Sequence, residues 1–146
     1  MMKLFTIGFT KKTAEQFFGL LDRPDLKRVV DIRLNNSSQL AAFTKSADLS
    51  FFLSRILGKG YVHLPELAPH AEMLKAYRDG SGDWEAYERD FLLLMRERRV
   101  QDTVPIDLID GGCLLCSEPT ADQCHRRLVA QHLTAKWPDA QIIHLV

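Results

Sequence analysis

Residues 28–33 read Arg-Val-Val-Asp-Ile-Arg. In an extended chain successive side chains point to opposite faces. Val29 therefore lies on one face, and Val30 and Ile32 lie on the other. A strand with one wet face alternates apolar and polar residues, whereas a strand covered on both faces does not. The stretch predicts a buried parallel strand. Asp31 and Arg33, two apart, point to one side at its end.

Strand and helix signals alternate outward from it. Upstream, residues 4–9 (LFTIGF) predict the first strand. Thr13-Ala14-Glu15-Gln16 has the spacing of a capping box, in which hydroxyl and amide satisfy each other's backbone N–H groups. Phe17, Phe18, Leu20 and Leu21 follow as an apolar stripe that Pro24 ends. Downstream, residues 35–47 are a polar loop. Leu49, Phe52, Leu53, Ile56 and Leu57 then keep helical spacing, with Asp48 as the expected cap and Gly58 as a left-handed stop. Residues 61–64 predict a third strand, cut by Pro65. Asp83 caps a helix whose inward stripe is Trp84, Tyr87, Phe91, Leu94 and Met95. Pro105 breaks residues 103–110. Residues 112–117 (GCLLCS) predict a fourth strand, residues 123–136 a helix, and residues 140–146 (AQIIHLV) a fifth strand. The expected fold is a single three-layer α/β domain over residues 1–146. Its mainly parallel sheet has about five strands, with the first and fourth as central neighbours.

Composition agrees with a folded domain: 46% of residues are hydrophobic and 26% charged. Nineteen Lys and Arg balance nineteen Asp and Glu, so bulk charge does not indicate a nucleic-acid coat, although a local basic site is allowed. No apolar run is long enough to span a membrane, and residues 1–8 do not make a signal peptide. Three cysteines, an odd number without an export signal, are read as reduced thiols in the cytoplasm.

In parallel sheets, sites gather beyond the carboxyl ends of the strands. That edge holds Gly8, Asp31, Arg33, His63, Glu66, Cys116 and Glu118, and Cys124-His125-Arg126 opens the helix beside it. A helix start carries unpaired amides and partial positive charge. With Arg126 and Arg127 adjacent, a thiol at Cys124 is expected to ionise more readily and the amides to attract an anion. Asp31 and Arg33 grip a ligand or each other. His63 and Glu66 are candidate bases or ligand contacts; His70, His132 and His144 have no partner in the sequence. A four-ligand zinc knuckle fails, because Cys113 and Cys116 are three apart on a strand and face opposite sides. A three-ligand set of Cys116, Cys124 and His125 stays open, but it needs a fourth ligand and the convergence of the adjacent side chains of Cys124 and His125. No metal and no cofactor is therefore expected.

Thr6-Ile7-Gly8, Val30-Asp31-Ile32-Arg33, residues 61–67 (YVHLPEL) and Leu115-Cys116-Ser117-Glu118 with Cys124-His125-Arg126 resemble, in this order, the family called "domain of unknown function 488". Two departures stand out. The family commonly reads Gly-His-Ser after the first strand, where this chain has Gly8-Phe9-Thr10. It often has Leu-Gly where this chain has Leu67-Ala68. The resemblance implies no activity and strengthens the map of the site.

Two function classes follow. One is an enzyme on a small anionic or nucleotide-like ligand, with Cys124 or Cys116 as nucleophile or redox thiol and His125 or Glu118 as proton partner. Asp31, Arg33, Arg126, Gly8, His63 and Glu66 would then line the ligand. The other is a non-catalytic module binding a ligand or nucleic acid, with structural cysteines.

Overall fold

The computed structural model describes residues 2–35, 43–79, 82–117 and 124–146. Among the described residues, five strands form one parallel sheet: β1 (Lys3–Gly8), β2 (Arg28–Asp31), β3 (Gly60–His63), β4 (Gly112–Cys116) and β5 (Gln141–Leu145). Their order is β3-β2-β4-β1-β5. The first and fourth strands pair as expected, with Phe5 beside Cys113 and Gly8 beside Cys116. β2 ends two residues sooner than its apolar pattern suggests. The Asp31 carboxylate accepts the Arg33 amide at 3.1 Å and turns the backbone out of the ladder.

The helices are α1 (Ala14–Leu21), α2 (Ser46–Phe52), α3 (Ala71–Asp79), α4 (Trp84–Arg98), α5 (Val100–Thr103), α6 (Ile106–Ile109) and α7 (His125–Thr134). They cover both faces, so the sheet has two cores. On one face Phe17, Phe18 and Leu21 of α1, with Leu49 and Leu53, pack on Phe5, Ile7, Val29, Cys113 and Leu115. On the other, Tyr87, Phe91 and Met95 of α4 and Leu128, Val129 and Leu133 of α7 pack on Leu4, Val30 and Leu114. Cys113, Leu114 and Leu115 thus alternate between the two cores, and Cys113 and Cys116 fall on opposite faces.

Local chemistry explains most helix ends. Thr13 and Gln16 form the expected capping box, with bonds of 3.1 and 2.9 Å. Asp83 caps α4 by accepting the Ala86 amide. Gly58 stops its helix at φ +65°. Asp48 is not a cap, because α2 begins two residues earlier, after Lys45; Asp48 lies in the first turn, where its charge suits the helix dipole. Ile56 is exposed rather than inward. The chain widens into a π-helical turn over Leu53–Leu57, which takes later residues off the 3.6-residue stripe. Pro105 separates α5 from α6. α3 lies in a stretch to which the sequence pattern assigned no element. α7 starts at His125 with Cys124 as its cap. Among the described residues, no helix is long and apolar enough to cross a membrane.

The topology sets the carboxyl edge on which the candidate residues fall. β1 and β2 send their chains to α1 and α2 on one face, whereas β4 sends its chain to α7 on the other. β4 lies between β1 and β2. Outgoing chains therefore diverge on both sides of its carboxyl end, which is the switch point where ligands of parallel sheets bind. Cys116 is the last residue of that strand.

Candidate functional site

Cys116 ends β4 facing α7 and is 5% exposed. Its sulfur lies 3.4 Å from Nδ1 of His125, the first residue of α7. The other ring nitrogen, Nε2, is 2.9 Å from the Ile32 carbonyl oxygen. A carbonyl only accepts, so Nε2 carries the proton and donates. In the neutral ring, Nδ1 then turns a lone pair toward the Cys116 thiol. Ile32 lies one residue past β2, and a buried carbonyl at a strand end needs a donor. The imidazole supplies it and is fixed in turn. The ring also packs edge-on against Phe91 of α4, with centroids 5.5 Å apart.

Cys124 completes the group. Donor atoms of Cys116, Cys124 and His125 all lie within 4.8 Å of one another. The adjacent side chains of Cys124 and His125 do converge. Cys124 is extended, at φ −138° and ψ 140°, while His125 is already helical, so the usual alternation of neighbouring side chains is broken at the cap. Against expectation, the Cys124 thiol is not acidified. Burial pushes its pKa well up, and the neighbouring Cys116 adds to this, partly offset by His125. Lost hydration is the largest cause. Burial likewise pushes the Cys113 thiol up, inside the opposite core.

Arg126 does not lie on the outer surface of α7. It is fully buried. Nη1 donates to the Cys124 sulfur at 3.7 Å and Nε to Thr6 Oγ1 at 3.3 Å. The Thr6 hydroxyl meets His144 Nδ1 at 2.6 Å, which gives His144 the partner that its sequence position did not reveal. Lys12, just beyond β1, feels this charge: burial first, and then Arg126, lower its pKa. Both side chains are cations, and each adds to the positive potential at the carboxyl edge. Its place just after the first strand is the signal in the sequence that marks Lys12 as an edge residue.

Asp31 and Arg33 lie on the α1/α2 face and hold each other. Arg33 Nε and Nη2 each donate to an Asp31 carboxylate oxygen at 2.8 Å. Nη1 and Nη2 also reach the Thr44 hydroxyl and carbonyl. Tyr61 donates its hydroxyl to Asp31 at 2.6 Å. The Arg33 guanidinium lies over the Phe9 ring, 5.4 Å from its centroid. Both charges are buried and paired, which suits a strut for the loop after β2. His63 Nε2 lies 3.0 Å from the Arg33 carbonyl. Two histidines, His63 from β3 and His125 from α7, therefore brace consecutive carbonyls after β2. Gly8 is the register partner of Cys116. Glu66 is exposed, its carbonyl held by Arg98 at the end of α4. Glu118 lies outside the described residues.

The arrangement can take a proton from Cys116, hold a soft cation, or keep charge near a bound anion. No curated protein and no solved structure matches the chain. The family model for "Domain of unknown function DUF488" matches residues 13–133. Those residues take in the strut, the thiol pair, the imidazole and the buried arginine, and the chain belongs to this family.

Proposed function

We propose that the protein is a thiol-dependent enzyme acting on a small anionic substrate. One observation carries the reading: the Cys116 sulfur sits 3.4 Å from a histidine nitrogen whose tautomer is fixed by the Ile32 carbonyl. This is the nucleophile–base–orienter arrangement of covalent catalysis. The thiol proton passes to His125 Nδ1, and the sulfur bonds to an electrophilic centre of the substrate as a leaving group departs. The imidazolium then returns the proton to that group. Lys12 and the buried Arg126 supply the positive charge that favours an anion at this edge. Asp31, Arg33 and His63 act as positioning residues, because their bonds are spent on the loop after β2.

Paired alkylating reagents test the anion preference. Iodoacetate and iodoacetamide are similar in size and differ in charge. The rate ratio of iodoacetate to iodoacetamide at Cys116, normalised to a small free thiol, is expected to exceed one severalfold. In Lys12→Ala it should fall toward one. A normalised ratio of one or less in the wild type would reject an anionic substrate. Failure of both reagents to reach Cys116 would instead favour a binding module with structural cysteines.

A further inference from the structure

We infer that Cys116, Cys124 and His125 together bind one divalent cation of the zinc type. The donor set is the first ground. Two thiolates and an imidazole select zinc and its borderline-soft neighbours over magnesium or calcium, which need oxygen ligands. Distance is the second. Zinc–sulfur and zinc–nitrogen bonds of ~2.3 and ~2.0–2.1 Å place tetrahedral donors roughly 3.6–3.8 Å apart. The Cys116–His125 pair is already at 3.4 Å, and all three separations are within 4.8 Å. An adjustment of about 1 Å or less, reachable by side-chain rotation, closes the group on an ion.

The third ground is the setting of the histidine. A metal-bound imidazole usually gives its other N–H to a carbonyl or carboxylate, which fixes the ring and raises the basicity of the ligating nitrogen. His125 does so, with Nε2 on the Ile32 carbonyl and Nδ1 turned to the sulfurs. Arg126 donates an N–H to the Cys124 sulfur, a second-layer contact that spreads thiolate charge. Two thiolates balance one dication, and three protein ligands leave a fourth position for water or a substrate atom.

The ion regulates the site proposed above. Its bonds draw charge from the Cys116 sulfur and occupy the His125 nitrogen that would take the thiol proton, so occupancy lowers thiol reactivity. Binding itself rests on the donors and does not need Cys116 to be a nucleophile.

The test uses the full chain, metal-free and reduced, titrated with cobalt(II). A one-to-one complex with thiolate-to-cobalt charge-transfer absorption and the visible bands of tetrahedral cobalt is expected. Zinc should displace the cobalt and slow alkylation of Cys116 and Cys124 at least about tenfold, and a chelator should restore the rate. Cys124→Ser and His125→Gln should each weaken cobalt binding at least about tenfold, whereas Cys113→Ser should not. Zinc protection mapped by mass spectrometry on the wild type keeps the test independent of how the variants fold. Absence of the charge-transfer band would overturn the ion, as would equal zinc protection of Cys113. If the band is absent while Cys116 still alkylates selectively, the thiol reading stands alone. If the band is present but the metal-free protein shows no selective alkylation, the ion stands and the nucleophile falls.

Discussion

Arg33 is 2% exposed and Asp31 is fully buried, so neither charge has water to fall back on. Their two 2.8 Å bonds form a fork-on-fork pair, the arrangement that best repays lost hydration. A buried pair of this kind is costly to break from one side, because the survivor stays charged and unpaired. Asp31→Asn is therefore expected to lower unfolding free energy in urea by about 3–5 kcal/mol. The Asp31→Asn/Arg33→Met double variant should lose clearly less than the sum of the two single losses. A single-variant loss below ~1 kcal/mol would place the pair in water, contrary to its burial. The sequence supplied both residues and the shared face, but not the choice between a strut and a ligand grip. That choice depended on Thr44 and Tyr61, which are distant in the chain and join the pair only after folding.

Elements with a local chemical signature were readable. The Thr13–Gln16 box, the Asp83 cap and the Gly58 stop each depend on neighbours within a few residues, and all three occur in the structure. Gly58 gives a clean test. Its φ is +65°, yet a Cβ there would meet nothing within 4 Å. The cost of Gly58→Ala is thus backbone strain alone, about 1–2 kcal/mol. Gly58→Asn should cost less, since Asn tolerates the left-handed region better. Equal melting temperatures for wild type and Gly58→Ala would show that the left-handed stop is absent. Ile56 was misread because apolar spacing presumes 3.6 residues per turn, and the π-helical turn at Leu53–Leu57 departs from it. α3 went unnoticed although Met73, Leu74 and Tyr77 pack inward at helical spacing, because so few large apolar residues in a short stretch give little to count.

At the scale of the whole molecule, the parallel sheet was legible because apolar residues on both faces of short strands leave few alternatives. The carboxyl edge was legible for the same reason, since parallel strands bring all their ends to one side. What the sequence did not carry was which edge residues meet across the chain. His125 reaches Ile32, Arg126 reaches Thr6, and Thr6 reaches His144, all through separations that only the strand order explains. That order also gives the three thiols three different surroundings. Cys113 is in mid-strand within the α1/α2 core, Cys124 caps α7 beneath the buried arginine, and Cys116 ends β4 at the switch point beside an imidazole.

In the proposed function His125 makes Cys116 the reactive thiol. Site-resolved alkylation of the native, metal-free protein by iodoacetamide near neutral pH, in wild type and His125→Gln, tests this. Glutamine keeps an N–H donor for the Ile32 carbonyl and removes the basic nitrogen facing the sulfur. Cys116 is expected to be modified first, ahead of Cys124 and far ahead of Cys113, and His125→Gln is expected to slow Cys116 by at least about tenfold while retaining the fold. Modification of Cys116 no faster than Cys113, or a rate in His125→Gln equal to that of the wild type, would contradict it.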